Sequence, residues 1–322
     1  MLYRLTIALP TFNRERLLDQ QLEWLSQAIK RYENEVEIII SDNCSEDRTP
    51  EVIERWKSAF AGTTLRLNRN HRNLWAVRNI ARCMQMARGR HVWVISDDDP
   101  IKSEAIGYVL DRLTKTPDLA LIVLNFSSRE VKTGRLNFAR CYDIAEEKVD
   151  PDGRRLFGEL LYQDNGGVTL TTALVYRTDL AQAALAEWPE GVENLAVQMY
   201  ITGYAAAHGP ALATQDVWLE CAAGEHYFMS DPRLHYKLQH VDVPRIYARF
   251  FEIGYSRSLF LRMFWKKLKR NARPRAFPGF VRRTGVMVWG ILASRLRQLW
   301  PKRSGGMGHR NNSEKFAAPF RS

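Results

Sequence analysis

Three consecutive acidic side chains give the clearest chemical signal in this 322-residue sequence: Asp97, Asp98 and Asp99, followed by Pro100. They come directly after residues 91–95, an apolar run typical of a buried strand. Neighbouring carboxylates repel one another unless a cation neutralises them, and hard oxygen ligands suit Mg²⁺ or Mn²⁺. The same residues could instead cap the next helix or lie solvated in a loop, so both interpretations stay open at this point.

Two other predicted strands also end in polar residues. Residues 5–9 and 36–40 are short apolar runs rich in β-branched side chains. In an open parallel sheet the ligand crevice lies at the carboxyl ends of the strands, so the residues that follow each strand are candidates for binding. These residues are Pro10-Thr11-Phe12-Asn13-Arg14 after the first strand and Ser41-Asp42-Asn43 after the second.

Two common glycine patterns for nucleotide binding are absent from the sequence. No Gly-x-Gly-x-x-Gly follows a predicted strand, and no Gly-x-x-x-x-Gly-Lys-Ser/Thr occurs. Neither the dinucleotide fingerprint nor the P-loop is therefore present, and any phosphate group must be held by other residues.

Apolar runs and helical patterns alternate along the first 126 residues. This alternation predicts an α/β fold with a mostly parallel sheet and helices on both faces. From 127 to 165 the periodicity is lost, and we expect irregular hairpins and loops before a strand at 168–176. Further helices are predicted at 193–207, 253–268 and 281–300.

Composition narrows the class of protein and its expected location. The chain is 45% hydrophobic and 26% charged, which is ordinary globular composition. Four scattered cysteines indicate neither a disulfide framework nor a zinc site and fit a reducing compartment. The first residues lack a secretory pattern, and no apolar run approaches the roughly 18 residues needed to span a bilayer. We therefore expect a cytoplasmic protein that does not cross the membrane.

The positive charge is concentrated near the C-terminus. The net charge is +11, but residues 253–322 hold 17 Lys and Arg against one acid, a net +16 that leaves −5 for residues 1–252. Aromatic and basic residues alternate at helical spacing there, which favours a basic amphipathic pair of helices on an anionic membrane surface. A helical hairpin packed on the rest of the protein, with a solvated basic face, is the alternative. The acidic remainder gives no reason to expect nucleic acid as a partner.

Four ordered motifs within about residues 4–125 resemble the family 2 glycosyltransferases of GT-A fold. They are Pro10-Thr11-Phe12-Asn13-Arg14, Ser41-Asp42-Asn43, Arg78-Asn79 and Ser96-Asp97-Asp98-Asp99. The last motif is similar to enzymes that add sugars to bacterial O-antigen or other surface polysaccharides, as abequosyltransferase-like proteins do. The resemblance implies inverting transfer of a sugar from a nucleoside diphosphate sugar to a hydroxyl of a glycan, with Mg²⁺ or Mn²⁺ as cofactor.

The resemblance also implies roles for individual residues. Asp42 would accept a hydrogen bond from the base, although taken alone it is also a typical turn residue. Residues 73–79, with Arg78, would close over the ribose and diphosphate. One register of the family's Asp-x-Asp pattern selects Asp97 and Asp99 as metal ligands and another selects Asp98, so all three are kept. The nucleotide pocket would be lined by Pro10, Thr11, Arg14, Asp97 and Asp98.

A general base must also deprotonate the acceptor hydroxyl. The family usually supplies it from a Glu-Asp pair at a helix start, and the corresponding spot here is Glu193-Asn194. Asn194 cannot take a proton, which makes Glu193 the candidate, with Glu190 and Asp179 behind it. Glu193 could equally be a helix N-terminal acid that complements the helix dipole.

The resulting prediction divides the chain into three parts. Residues 1–252 form a catalytic domain, with a nucleotide-sugar half at 1–126 and an acceptor half at 127–252. Residues 253–301 form a basic helical extension that brings the protein to the inner face of the cell membrane and to a lipid-linked oligosaccharide acceptor. Residues 302–322 are a disordered tail.

Two other functions remain as alternatives. A nucleotidyltransferase would also need acidic metal ligands, but it normally has a glycine-rich loop after the first strand, and Pro10-Thr11-Phe12-Asn13-Arg14 contains no glycine. A catalytically inactive adaptor on a membrane surface would account for the basic C-terminal part and for Asn194.

Overall fold

A single mixed sheet organises the molecule. The computed structural model describes residues 3–224 and 231–271, and this part of the chain contains nine strands. In chain order they are β1 (Leu5–Thr11), β2 (Val36–Asp42), β3 (Thr64–Arg69), β4 (His91–Val94), β5 (Leu121–Glu130), β6 (Leu136–Phe138), β7 (Val149–Asp150), β8 (Leu174–Arg177) and β9 (Ala211–Ala223). Their order in the sheet is β3-β2-β1-β4-β8-β5-β9-β7, with β6 paired to β5.

Helices connect most of these strands. They are α1 (Glu15–Ala28), α2 (Thr49–Trp56), α3 (Trp75–Met86), α4 (Ala105–Lys115), α5 (Gly153–Gln163), α6 (Thr178–Glu187), α7 (Val197–Ala207), α8 (Pro232–Lys237), α9 (Val243–Glu252) and α10 (Arg257–Asn271). A π-helical turn, Leu238–Asp242, joins α8 to α9. Short 3₁₀ turns occur at Lys57–Phe60, Gly167–Thr169, Thr171–Ala173 and Pro189–Glu193.

The predicted fold class is confirmed. The pairs β1–β2, β1–β4, β2–β3 and β5–β9 are parallel, while β8 runs antiparallel between β4 and β5. Every residue of β2 and all but one residue of β1 are buried. Strands that are buried along their whole length, without alternation of buried and exposed residues, are typical of a parallel sheet covered on both faces.

One buried carboxylate ties the first strands together. Glu37 on β2 is fully buried and accepts hydrogen bonds from Thr6 Oγ1 (2.6 Å) and from the backbone N–H of Gly89 (3.2 Å). Arg66 on β3 places Nη1 3.4 Å from the second carboxylate oxygen of Glu37. The Glu37 carboxylate thus has partners on β1, on β3 and in the turn before β4, as a buried charge requires.

The first correction concerns residues 127–165, for which an irregular structure is predicted. The prediction is wrong for α5, which buries Phe157, Leu160 and Leu161 on one face. The helix was not predicted from the sequence because its apolar pattern is short and is interrupted by charged residues and two glycines. Gly153 is needed in α5 because a Cβ there would lie 2.5 Å from the backbone oxygen of Ala206.

The second correction concerns the strand predicted at 168–176. Most of this segment forms two 3₁₀ turns, and only β8 at its end pairs with the sheet. The indole N–H of Trp93 donates to the backbone oxygen of Thr172 (2.7 Å), and the Thr172 hydroxyl oxygen accepts from the N–H of Ser96 (3.0 Å). These bonds hold the turn against the end of β4.

The beginning of the basic C-terminal part packs on the core. The ring of Phe250 on α9 contacts Phe157 (centroids 5.4 Å apart) and Phe260 on α10 (6.0 Å). Leu259 and Phe260 are buried, whereas Trp265 is 56% exposed. The helix predicted at 253–268 begins only at Arg257, after a turn in which Gly254 has φ +89°.

Two further predictions concern the C-terminal part and the membrane. The helix predicted at 281–300 and the tail at 302–322 lie outside the described residues. Within 3–224 and 231–271, no helix is both long enough and apolar enough to cross a bilayer.

The close approach at Gly89 gives a prediction for stability. A Cβ at this position would lie 2.6 Å from the Thr6 nitrogen and 2.7 Å from the Leu5 carbonyl carbon, both backbone atoms of β1. Gly89→Ala should therefore lower the free energy of unfolding by about 1–3 kcal/mol, as overpacking does. Urea unfolding measures the change.

Gly62→Ala is the matched control. Its Cβ would meet only the flexible carboxylate of Glu33, at 3.1 Å or more. The change should be within about 0.5 kcal/mol of zero. Equal losses in the two variants would show that backbone contact at Gly89 is not the cause.

Candidate active site

A cavity of about 1100 Å³ opens at the carboxyl ends of β1, β2 and β4. One side is formed by residues that follow these strands and by the loop before α3. The other side is formed by the start of α7, the π-helical turn and the facing surfaces of α9 and α10. Six of the residues predicted for the site line it: Pro10, Thr11, Arg14, Asp97, Asp98 and Asp99.

Asp97 is held by residues that follow β1. Thr11 Oγ1 donates a hydrogen bond to Asp97 Oδ2 (2.8 Å), and Arg14 Nη1 lies 3.8 Å from Asp97 Oδ1. The residue is only 7% exposed. Burial raises the pKa of Asp97 to about 6, since the nearby Arg14 charge offsets the effect only in part.

Asp98 is the most exposed of the three aspartates, with 22% of its side chain accessible. Arg14 Nη1 donates to Asp98 Oδ2 (3.0 Å), and the Ser96 hydroxyl donates to Asp98 Oδ1. The Arg14 guanidinium thus lies between Asp97 and Asp98 and partly neutralises both.

Asp99 joins the end of β4 to the second half of the molecule. The Thr172 hydroxyl donates to Asp99 Oδ2 (2.5 Å), and the backbone N–H of Ala222 donates to Asp99 Oδ1 (3.0 Å). Asp99 is 3% exposed, and burial together with the Asp98 charge raises its pKa to about 7. Thr172 and Ala222 are missed by the sequence analysis because no local pattern marks them.

The arrangement of the three carboxylates suits a cation whose remaining ligands come from the phosphate groups of a substrate. The carboxylates turn towards different partners, and in residues 3–224 and 231–271 no three His, Cys, Asp or Glu side chains converge as a metal-binding group. Mg²⁺ is commonly bound through one or two carboxylates plus phosphate oxygens and water rather than by an all-protein cage. Burial raises the pKa values of Asp97 and Asp99, because the protein stabilises their charged forms less well than water does.

Asp42 occupies a buried turn behind the cavity. It is 2% exposed, and its Oδ1 accepts from the N–H of Ser45 (2.9 Å), the local bond of a turn residue. Arg69 Nε lies 3.4 Å from Asp42 Oδ2, which has no hydrogen-bond partner among the described residues. The neighbouring Asn43, rather than Asp42, is among the cavity-lining residues.

A network of side-chain amides fixes the loop before α3. Asn70 Nδ2 donates to Asn43 Oδ1 (2.9 Å) and to Asn79 Oδ1 (3.0 Å), and Asn43 Nδ2 donates to Asn73 Oδ1 (2.7 Å). The Ser41 hydroxyl donates to Asn79 Oδ1 (2.6 Å). The sequence analysis missed this network, although the four asparagines between positions 68 and 79 were a signal for it.

The structure brings Arg78 and Glu193 together. Arg78 Nη2 and Glu193 Oε1 form an ion pair between α3 and the 3₁₀ turn before α7. Both side chains are accessible, at 40% and 62%, and neither is among the residues that line the cavity in the described part of the chain. The sequence analysis assigned Arg78 to the donor and Glu193 to the acceptor, and it did not predict that the two side chains form an ion pair.

Asn194 has a structural role. Its Nδ2 donates to the backbone oxygen of Asp242 (3.0 Å), and its Oδ1 accepts from the N–H of Ala196 (2.9 Å). The buried carboxylate of Asp242 in turn accepts from Lys237 Nζ (2.6 Å) and from the N–H of Leu195 (3.1 Å). These bonds attach the π-helical turn to the start of α7.

The model of the family described as Glycosyl transferase family 2 matches residues 6–178, more than half of the chain. The chain belongs to glycosyl transferase family 2. The resemblance seen in the sequence is thereby confirmed, and with it the class of enzyme.

Two curated relatives match parts of the chain. Abequosyltransferase RfbV of Salmonella typhimurium is 27% identical over 117 residues, which are 36% of this chain and 34% of that protein. Poly(ribitol-phosphate) beta-N-acetylglucosaminyltransferase TarS of Staphylococcus aureus is 25% identical over 197 residues, 61% of this chain and 31% of that protein. The matches thus span about a third of the length of each relative.

Solved structures share the fold. The crystal structure of S. aureus TarS 1-349 in complex with UDP-GlcNAc matches with a TM-score of 0.60 and 16% identity, over 89% of this chain and 81% of that chain. The complex of the same protein with UDP matches with a TM-score of 0.58 and 16% identity, over 92% and 83%. These likenesses confirm the predicted GT-A fold.

The raised pKa values predict how stability depends on pH in metal-free protein. Asp97 and Asp99 have pKa values of about 6 and about 7 when folded, against about 3.9 in an unfolded chain. The folded state therefore binds their protons more tightly, and their contribution to stability falls as pH rises from about 4 to about 7. Asp99→Asn should reduce this fall, because an amide does not titrate.

Urea unfolding in EDTA at about pH 5 and about pH 8 measures the effect as the difference between wild type and Asp99→Asn. Comparing the two proteins cancels the other titrating groups. An identical pH dependence in both would contradict the environment described for Asp99.

Proposed function

We propose that this family 2 member transfers a sugar from a nucleoside diphosphate sugar to a hydroxyl of a glycan in surface polysaccharide synthesis. The observation that carries the proposal is the cluster Asp97–Asp99 at the carboxyl edge of the sheet, which lines a cavity large enough for a nucleotide sugar. The TarS structures with UDP and with UDP-GlcNAc support a donor of this kind.

The donor would lie across the ends of β1, β2 and β4. In this proposal Pro10 and Thr11 line the nucleotide pocket. Asp42 accepts a hydrogen bond from the base, which requires its buried carboxylate to become accessible from the cavity. Arg78 closes over the ribose and diphosphate, which requires it to leave its ion pair with Glu193.

Asp97, Asp98 and Asp99 would hold the ribose and a Mg²⁺ or Mn²⁺ ion. When bound, such an ion supplies positive charge to the departing diphosphate. Arg14 already lies between Asp97 and Asp98, so its guanidinium offsets part of the negative charge of the first two carboxylates. Thr172 and the N–H of Ala222 hold the third carboxylate in position.

Glu193 is the proposed general base. It takes the proton of the acceptor hydroxyl while that oxygen attacks the anomeric carbon and the bond to the diphosphate breaks, with inversion at the anomeric carbon. Its carboxylate is accessible, and the residues that follow it, Leu195 and Ala196, line the cavity. The neighbouring Asn194 cannot serve as the base, because its side chain is an amide, and that amide is bonded to Asp242 and Ala196.

The acceptor would be a lipid-linked oligosaccharide. Apolar side chains of the π-helical turn, α9 and α10 line the far side of the cavity: Leu238, Val243, Tyr247, Phe260 and Met263. These side chains support an acceptor with an apolar portion. In this proposal the basic segment 253–301 holds the protein on the inner face of the cell membrane, where anionic lipid attracts Lys and Arg.

The donor and the metal can be tested together by thermal shift. Nucleoside diphosphates and nucleotide sugars are screened with and without Mg²⁺ or Mn²⁺ on the wild type and on Asp98→Ala and Asp99→Ala. A ligand at 100 times its Kd stabilises the folded state by about 2.7 kcal/mol. One nucleotide should raise Tm only with metal present, and each variant should lose the effect.

Two results would contradict this proposal. A shift that persists in both variants would exclude the aspartate cluster as the metal site. No shift with any nucleotide would favour the inactive adaptor instead.

The base is tested by substitution. Glu193→Gln should lower kcat by about 10²–10⁴-fold because the proton has no acceptor, while donor affinity should not fall, since the change also releases Arg78 from its ion pair. Steady-state transfer kinetics give kcat, and calorimetry gives the donor Kd. Glu190→Gln and Asp179→Asn, the two weaker candidates, should keep activity. If either of these variants loses activity while Glu193→Gln keeps it, Glu193 is not the base.

A further inference from the structure

Three consecutive residues, beginning with Glu193, are bonded to the segment around the π-helical turn. Lys237 Nζ, at the end of α8, donates to the backbone oxygen of Glu193 (2.8 Å). Asn194 Nδ2 donates to the backbone oxygen of Asp242 (3.0 Å), and the N–H of Leu195 donates to Asp242 Oδ2 (3.1 Å). The backbone on both sides of Asn194 is therefore fixed to this turn.

The Lys237 ammonium connects these bonds. It donates to Asp242 Oδ2 (2.6 Å) as well as to the backbone oxygen of Glu193, so one charge bridges the turn and the proposed base. The side chain of Asp242 is fully buried, and that of Lys237 is 38% accessible. Asp242 Oδ1 has no hydrogen-bond partner among the described residues. Apolar side chains often stabilise a fold as well as a buried ion pair does, so stability alone does not account for this pair.

The turn and the residues after Glu193 form one wall of the cavity. Residues 238–240 of the turn line the cavity, and so do Leu195 and Ala196. π-Helical turns are rare and occur frequently at functional sites. Because Lys237 and Asp242 bond the two segments to each other, a shift of either segment would displace the wall that an acceptor meets.

The Glu193 carboxylate depends on its backbone for its position once the donor is bound. In the proposed reaction Arg78 leaves its ion pair with Glu193 for the diphosphate, while the bond from Lys237 to the Glu193 backbone remains. A general base must come within about 2.6–3.2 Å of the oxygen whose proton it takes. A displacement of about 1 Å can lower a rate by about 10²-fold.

We propose that Lys237 and Asp242 are positioning residues that hold Glu193 where it can reach the acceptor hydroxyl. The inference rests on the proposed function, in which Glu193 is the general base. Lys237 acts through the backbone oxygen of Glu193, and Asp242 acts through Lys237 and the N–H of Leu195. Neither residue is among those that line the cavity in the described part of the chain, so their loss should slow transfer and leave donor binding unchanged.

A kinetic double-mutant cycle tests this role. Release of nucleoside diphosphate is measured with the nucleotide sugar that gives the largest thermal shift and with polyprenyl-diphosphate-linked oligosaccharides as acceptor. Lys237→Met keeps the length of the side chain but removes the ammonium. It should lower kcat by about 10–10²-fold, while the donor Kd from calorimetry stays unchanged. In the Glu193→Gln background the same change should lower kcat by less than about twofold, because no base remains to be positioned.

Two control variants accompany the cycle. Lys237→Arg keeps a cation that can donate to both oxygens and should keep kcat within about threefold of the wild type. Lys115→Met removes a surface lysine of α4 that pairs with Asp111 (2.8 Å), and it should change neither kcat nor the donor Kd.

Stability separates positioning from a general loss of structure. Lys237→Met leaves the buried Asp242 carboxylate without its cation and should also lower Tm. Adding Asp242→Asn removes that charge and keeps an oxygen that can accept from the N–H of Leu195. The double variant should regain Tm but not kcat. Recovery of kcat together with Tm would show that the loss came from a destabilised fold, and it would overturn the inference.

Other outcomes also overturn the inference. An unchanged kcat in Lys237→Met, or equal fold losses in the wild-type and Glu193→Gln backgrounds, would show that Lys237 does not act through Glu193. Full activity of Glu193→Gln would remove Glu193 as the base and the inference with it. In all these cases the wild type still turns over the nucleotide sugar, so the proposed transfer survives. A wild type that turns over no nucleotide sugar would overturn both.

Discussion

The burial of two neighbouring carboxylates, Asp97 and Asp99, is the constraint on which the site depends. The partners that hold Asp97 and Asp99 come from three distant places: Thr11 on β1, Thr172 in a 3₁₀ turn, and the N–H of Ala222 on β9. They meet only when β1 and β8 flank β4 and β9 pairs with β5. The site therefore forms with the complete sheet, and the antiparallel insertion of β8 is part of its construction.

The hydrogen bonds to Asp97 and Asp99 do not fully replace the hydration that these carboxylates lose on burial. The pKa values of Asp97 and Asp99 stay raised by burial, so the folded protein holds acids that ionise fully only well above their usual range. In the proposed reaction a divalent cation would offset the negative charge of both these carboxylates and the diphosphate. Strain at Trp75, the first residue of α3 with φ +67°, is a second local cost, and it is maintained by an amide network on the same edge of the sheet.

The features that the sequence predicts are those that depend on neighbouring residues. The buried runs of β1, β2 and β4 and the acids that follow β4 can be read directly, because strand burial and strand ends are local. Thr172 and Ala222 could not be predicted, since they reach Asp99 through the pairing of strands far apart in sequence. The ion pair of Arg78 with Glu193 likewise depends on how α3 packs against the turn before α7.

The central claim is that the aspartate cluster binds a metal ion together with the donor diphosphate. Anomalous diffraction from crystals grown with Mn²⁺ and a nucleoside diphosphate tests it most directly. The account predicts a manganese peak in contact with both a carboxylate oxygen of Asp97, Asp98 or Asp99 and the diphosphate. A diphosphate bound in the cavity with no manganese at these carboxylates would contradict it.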